Sequence, residues 1–231
     1  MEISIITLFP QMFEGPFKLS IIKRAIDKKI ASINIIDLRN FGTGKHKTVD
    51  DKPYGGGLGM ILKVDVLNKA IQDVKKLNNK AEKIVLLSAR GKRYNQTKAW
   101  QFSKLKHLIL ICGHYEGVDE RVLELVDEEV SIGDFVLTGG EIAAMVIADS
   151  VIRLIPGAIR EGATITESFA ANSGSLLEYP HYTGPRTYKG KGVPEVLLSG
   201  NHKRIEEWKK EKSLEITKAK RPDLIIGRGK D

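Results

Sequence analysis

Short apolar runs separated by helical patterns constrain this chain more than any other feature of its sequence. ISIITLF at 3–9 reads as a buried strand and SINIIDL at 32–38 as a second. KIVLLS at 83–88 and HLILIC at 107–112 are short, rich in β-branched residues and bounded by glycine or basic loops, as central strands of a parallel sheet are. EVSIGDFVL at 129–137 is the next strand. Leu19, Ile22 and Ile26 recur at helical spacing, and helical patterns fill roughly 64–77, 96–105 and 117–127. EIAAMVIADSVIRLI at 141–155 predicts a strongly apolar helix, stopped by Pro156-Gly157. Strand–helix alternation of this kind predicts an α/β fold, a parallel sheet with helices on both faces.

The alternation stops at 160–178, REGATITESFAANSGSLLE, which is rich in small residues, has no sustained period and reads as a flexible linker. Beyond it, Ile205, Trp208, Leu214 and Ile216 lie among basic residues on a helix expected over 202–224. The expected organisation is a sheet domain at 1–159, the linker at 160–178 and a small, mainly helical domain at 179–231. Of the net charge of +8, most lies at the end: residues 186–231 hold 13 Lys and Arg against seven Asp and Glu. That is the footprint of a polyanion partner, or else a solvated Lys-rich terminal helix.

Several classes fall away. A single cysteine, Cys112, excludes an internal disulfide framework, as expected in a reducing cytoplasm. It ends a buried strand and reads as core rather than nucleophile. The N-terminus shows no signal-peptide pattern, and no stretch reaches the ~20 apolar residues of a membrane span. The expectation is therefore a soluble, cytoplasmic protein with no membrane partner. Five scattered histidines form no H-E-x-x-H pattern, so no metal site is expected, and no G-x-S-x-G elbow is present.

Three glycine-bearing loops follow strands: Ser88 to Gly91, Cys112 to Gly117, and Ser131 to Gly140. Ligands of an open parallel sheet bind beyond the carboxyl ends of its strands, so the three could wall one pocket, although each glycine could equally make only a tight turn. None matches a P-loop or a G-x-G-x-x-G fingerprint. A fourth segment, 41–60, carries Lys45, His46 and Lys47 and then Gly55, Gly56 and Gly57; it could clamp a phosphate-bearing substrate or be a mobile surface loop. Arg153 lies on the apolar helix, where an unpaired charge is expensive; it either pairs with Asp149 one turn back or is reserved for a substrate.

CGHYEGVDERV (112–122), SIGDFVLTGGE (131–141), RLIPG (153–157), PHYTGP (180–185), VPEVLLSGNH (193–202) and KRPDL (220–224), with HKTVDDKPYGGGLGM (46–60), resemble the tRNA (guanine-N1)-methyltransferases in order and spacing. The resemblance covers almost the whole chain. It implies a SPOUT-type sheet domain with a trefoil knot, S-adenosylmethionine as methyl donor, and the guanine at position 37 of tRNA as acceptor. The donor pocket it implies is lined by Leu87 and Ser88, by Gly113, Tyr115, Glu116 and Gly117, and by Ile132, Gly133, Asp134, Phe135, Val136 and Leu137 with Gly139 and Gly140. A valine at Gly133 is expected to fill that pocket.

The same resemblance assigns Arg153 as the catalytic arginine and Glu167 as the base, Glu167 standing where the family has aspartate and on a tether that looks one residue shorter. Asp50 and Asp51 are alternative carboxylates. Gly184 stands where the family often has arginine, and Ala143 where it often has proline. RNA contacts are expected from Lys45, His46, Lys47, Gly55, Gly56, Gly57, His181, Lys203 and Arg204. A homodimer is implied, with the pocket of one chain facing the linker and C-terminal domain of the other. Magnesium dependence is possible, with no identifiable protein site for the ion. The competing readings are a related SPOUT ribose methyltransferase and a non-catalytic RNA-binding protein.

Overall fold

The structure, a computed structural model, describes residues 1–77, 81–170 and 174–226. Residues 171–173 of the expected linker and 227–231 of the expected C-terminal domain lie outside that description. The chain divides into two compact units, Met1–Arg160 and Glu161–Asp231.

The first unit is built on five strands: β1 (Glu2–Thr7), β2 (Ser32–Asp37), β5 (Lys83–Arg93), β6 (His107–Cys112) and β7 (Glu128–Ser131). They form one sheet in the order β2-β1-β6-β5-β7, every pairing parallel. Two-residue strands β3 (Asp50–Asp51) and β4 (Ile61–Leu62) pair antiparallel beside it. Helices α1 (Ser20–Asp27), α2 (Val64–Leu77), α3 (Gln96–Ser103) and α4 (Glu141–Ile152) complete the unit.

The apolar runs are continuous because both faces of the sheet are covered. In β6, Leu108, Leu110 and Cys112 enter a core shared with Ile22 and Ala25 of α1, Phe102 of α3 and Ala144, Ile147 and Val151 of α4. Ile109 and Ile111, the alternate positions, enter a second core with Val66, Leu67, Ala70 and Ile71 of α2. Period-two side chains on a sheet sandwiched between helices therefore need apolar residues at every position.

Three local expectations are corrected. The strand expected over 129–137 ends at Ser131, whose hydroxyl donates to the Gly133 carbonyl at 2.9 Å and turns the chain out of the ladder. The helix expected over 117–127 is a 3-10 helix at Glu120–Leu125, started by Asp119, whose carboxylate accepts from the Arg121 amide at 3.0 Å. Strand β5 runs five residues past the expected end. Leu87 and Lys92 both register with Val130, so Ser88 to Gly91 bulge out of the sheet between them. Gly91 permits this: a Cβ there would stand 2.4 Å from the Val130 amide nitrogen.

One buried polar residue ties the sheet to pH. His107 is fully buried, with Nε2 2.9 Å from the Ser4 hydroxyl and 3.9 Å from a Glu2 carboxylate oxygen. Burial pushes its pKa below the ordinary 6.5, against the pull of Glu2 and Glu82. The unfolded chain thus takes up a proton just below 6.5 that the folded chain resists, and stability is lost as pH falls through that window. We expect the melting temperature to drop between about pH 7 and pH 5. His107→Gln should flatten that part of the profile, and an unchanged slope would remove His107 as its source.

The second unit holds the hairpin β8 (Thr187–Tyr188) and β9 (Lys191–Gly192), then α5 (Glu195–Leu198), α6 (His202–Lys220) and α7 (Asp223–Ile226). Helix α6 is capped by Asn201, whose side chain accepts from the Arg204 amide at 3.2 Å. It stops before Pro222, which lacks an amide hydrogen and forces Arg221 out of the helical region, so the helix expected over 202–224 is two. Its buried positions are Ser213 and Thr217, while Leu214 is exposed. The reason is polar: the Leu177 amide donates to Thr217 Oγ1 at 3.0 Å, and the Ser213 hydroxyl donates to the Leu177 carbonyl at 2.5 Å. The segment before residue 178 is thus hydrogen-bonded onto α6. Glu178 donates its amide to Ser168 Oγ at 2.9 Å, and the Phe169 amide donates to the Leu176 carbonyl at 2.9 Å.

Candidate active site

A cleft of about 1020 Å³ opens at the carboxyl ends of β5, β6 and β7. Leu87 and Ser88 form one wall, Gly113 and Tyr115 to Gly117 a second, and Ile132, Gly133 and Phe135 to Gly140 a third. Backbone joins the walls. The Gly140 amide donates to the Gly113 carbonyl at 2.8 Å, and His114 and Gly139 form a bridge. At Gly140 a methyl group would lie 2.7 Å from Cys112 Cα and 3.0 Å from the Gly113 nitrogen, so only glycine lets α4 start against the end of β6. At Gly133 the three atoms nearest an added methyl group all belong to the ring of Phe135, the closest 2.4 Å away. That ring is half exposed and able to swing aside.

A fourth wall comes from the end of the 41–60 segment singled out in the sequence and from residues just beyond it. Asp51 to Tyr54 and Ile61 to Asp65 close the cleft on the side of the loop after β6. The Glu116 amide donates to the Met60 carbonyl at 3.1 Å and the Leu62 amide to the Gly117 carbonyl at 3.0 Å. Tyr115 sits in the left-handed region at φ 58°, a conformation that costs a non-glycine residue energy. Burial raises the pKa of its phenol, and the Asp50 carboxylate beside it, to which it is hydrogen-bonded, raises it further.

The charge of the cleft decides what it suits. Six carboxylates line it, Asp51, Asp65, Glu116, Asp119, Glu120 and Glu129, against the cations Lys52, Lys63, Arg90 and Arg121. Two cations are already engaged: Arg90 reaches Glu120 at 2.9 Å, and Arg121 holds the Asp119 carboxyl below the usual range through a 2.6 Å contact. A phosphate-bearing ligand would be repelled by this balance, whereas a positively charged nucleoside would be favoured. Phe135, Val136 and Leu137 stand 53%, 87% and 38% exposed on the third wall, an apolar strip suited to a flat ring.

Not every expected residue reaches the cleft. Asp134 does not line it and is paired instead with Arg93. Arg153 caps the far end of α4, its amide bonded to the Asp149 carbonyl at 3.1 Å, whereas Gly140 and Ala143 at the near end line the cleft. Twelve helical residues separate those ends by roughly 18 Å at 1.5 Å per residue. Glu167, His181, Lys203 and Arg204 belong to the second unit. His181 faces the Glu178 carboxylate at 3.0 Å, and Lys203 and Arg204 are exposed on the first turn of α6. Lys45, His46 and Lys47 are exposed on a turn between Thr43 and Thr48, and Gly55, Gly56 and Gly57 are exposed beyond Tyr54. Cys112 is buried, and burial together with Glu141 pushes its thiol pKa well up, so it offers no thiolate.

Sequence reasoning missed a buried carboxylate under the floor. Glu141, 2% exposed, opens α4 and accepts from the Thr7 hydroxyl at 2.8 Å. The bond pins the first turn of α4 to the end of β1. Its place next to Gly139-Gly140, at the first turn of an apolar helix, is the signal that could have found it.

Among the described residues no group of three or more His, Cys, Asp or Glu is gathered as a metal site, and no helix is long and apolar enough to cross a membrane.

Fold and cleft together define an α/β protein with an open, net-acidic cleft at the carboxyl edge of a parallel sheet. Comparison with known proteins makes this specific. The family model described as tRNA (Guanine-1)-methyltransferase TrmD matches residues 1–227. A tRNA (guanine-N(1)-)-methyltransferase of Bacillus pumilus (strain SAFR-032) is 53% identical over 227 residues, spanning 97% of this chain and 92% of that protein. The protein of the same name from Carboxydothermus hydrogenoformans is 53% identical over 230 residues, 99% and 89% of the two chains. That from Bacillus subtilis (strain 168) is 51% identical over 227 residues, 97% and 92%. The chain belongs to the TrmD family of tRNA (guanine-1)-methyltransferases.

Proposed function

We propose that the protein transfers a methyl group from S-adenosylmethionine to N1 of the guanine at position 37 of tRNA, acting as a homodimer in the cytoplasm. The observation that carries the donor assignment is the acidic, glycine-floored cleft with its exposed apolar strip. S-adenosylmethionine supplies an electrophilic methyl group on a sulfonium. Its positive charge suits the carboxylate excess and Glu116, and its adenine suits the strip at Phe135 to Leu137. Gly113 and Gly140 leave backbone within reach of a bound ring. The trefoil knot of SPOUT enzymes belongs to the same reading.

Guanine N1 carries a proton that must leave, and charge then develops on O6. In this reading the Glu167 carboxylate accepts the proton, with Asp50 and Asp51 as alternatives, and the Arg153 guanidinium donates to O6. α4 holds Arg153 roughly 20 Å along its axis from Gly140, and in this reading the cleft of one protomer works with Arg153 and Glu167 supplied by its partner. An apolar α4 supports the pairing of two chains: Ile142 and Val146, one turn apart, are 47% and 43% exposed on it. The basic second unit grips tRNA phosphates, with Lys203, Arg204 and His181 assigned there, while Lys45, His46, Lys47 and the glycines 55–57, all exposed, supply further RNA contacts. Magnesium is assigned no protein site, and assays with and without it decide its part.

Transcripts test the acceptor assignment. A tRNA with guanine at position 37 should take up label from methyl-labelled donor, and the same transcript with adenine there should not. Equal labelling of both would refute the acceptor.

A further inference from the structure

We propose that the β8–β9 hairpin is an RNA-contact arm in which Tyr188 stacks on an unpaired base while Lys189 and Lys191 hold the flanking phosphates. This rests on the reading of tRNA as substrate and extends it to a surface that neither the resemblance nor the family assignment singles out.

The hairpin has no folding role of its own on view. Its two rungs are Thr187↔Gly192 and Tyr188↔Lys191, and every residue from 181 to 192 is exposed. A two-stranded hairpin that buries nothing is marginal by itself. Its turn residues, Lys189 at φ 48° and Gly190 at φ 76°, are both left-handed, the geometry of a tight two-residue hairpin turn. For lysine that conformation costs energy. The base is nevertheless anchored. The Val193 amide donates to the Arg186 carbonyl at 2.9 Å, and the Arg186 guanidinium donates to both Glu195 carboxylate oxygens at 3.1 and 3.2 Å, at the start of α5. A fixed base therefore presents an unburied tip.

The chemistry of the tip selects its partner. Tyr188 is 64% exposed, and the Lys189 ammonium lies 5.5 Å from its ring centroid. Lys191 lies directly across the ladder. No acidic residue occurs between 179 and 194, and Glu195 is engaged by Arg186, so two lysines face solvent beside a flat ring. An acidic protein surface would use the lysines and leave the ring idle. Unpaired RNA uses both, because each base offers a face for stacking and each link a phosphate. Paired RNA hides its base faces and would leave Tyr188 without a function.

Fluorescence anisotropy with tRNA tests this in the full-length protein, using Tyr188→Ala, Tyr188→Phe and the double variant Lys189→Ala/Lys191→Ala. Tyr188→Ala should weaken tRNA binding by roughly tenfold or more with the salt dependence unchanged, and Tyr188→Phe should restore it. The double lysine variant should reduce the log–log salt slope by roughly 1.4–1.8. Calorimetric affinity for S-adenosylmethionine should be the same in all four proteins. Variants that bind tRNA as the wild type does would overturn the arm. So would a loss confined to the lysine variant, which would leave charge without stacking. Wild-type protein that binds tRNA but transfers no methyl group would refute the proposed activity while leaving the hairpin result readable.

Discussion

Gly140→Val should abolish S-adenosylmethionine binding. Position 140 is where the first turn of α4 meets the end of β6, and a single methyl group there already overlaps Cys112 Cα at 2.7 Å. The obstacle is backbone on both sides, so neither partner can rotate away, and the two extra methyls of valine must displace α4 or the floor strand. Overpacking a well-filled site costs roughly 1–3 kcal/mol, occasionally more, and here the displaced atoms are those that would hold the ligand. Gly133→Val, the change singled out by sequence, should be milder, because its clash is with a half-exposed Phe135 ring. Calorimetry of the two variants, with circular dichroism to confirm folding, ranks them. Normal binding by folded Gly140→Val would remove the cleft as the donor site.

Arg153→Ala and Glu167→Ala should do the reverse. Neither residue lines the cleft, so donor binding should persist. Methyl transfer should fall, by roughly 10²–10⁴-fold for loss of a general base and by a comparable factor for loss of a charge-stabilising donor. Near-normal turnover in Glu167→Ala would move the base to Asp50 or Asp51. The shared-site reading adds a sharper expectation. A Gly140→Val chain mixed with an Arg153→Ala chain should regain activity, because one heterodimer site combines an intact cleft with Arg153 of the partner subunit. Mixed dimers that stay inactive would place cleft and arginine in one chain.

The central strands were legible because a sheet covered on both faces leaves no room for polar alternation, and HLILIC at 107–112 is buried at every position. Two loops of the cleft, after 88 and after 112, followed from the strands, since each begins where an apolar run ends, whereas the third begins inside the strand expected over 129–137. What failed was local chemistry. Ser131 turns its hydroxyl back on Gly133 and ends β7 early, while Asp119 starts a 3-10 turn in place of an α-helix. Ser213 and Thr217 are buried on α6 through hydrogen bonds to Leu177, which a search for apolar spacing cannot find. The fourth wall was seen only in part, as a candidate substrate loop at 41–60 with no stated place beside the other three. It reaches the cleft through backbone bonds from Met60 and Leu62 to a loop more than fifty residues later, and backbone pairing leaves no mark on side-chain pattern. Arg153 stood out as a charge on an apolar helix, but its catalytic role, like that of Glu167, came from motif resemblance alone. The helix expected over 141–155 already implied that Arg153 would stand far along its axis from Gly140, a consequence that the motif assignment did not use.

The most direct test of the account is the atom that receives the methyl group. The protein is incubated with unmodified tRNA and methyl-labelled S-adenosylmethionine, the tRNA is digested to nucleosides, and the labelled product is identified. The account predicts 1-methylguanosine, arising at position 37. Label on a ribose 2′-oxygen, on another atom of guanine, or nowhere in the tRNA would contradict it.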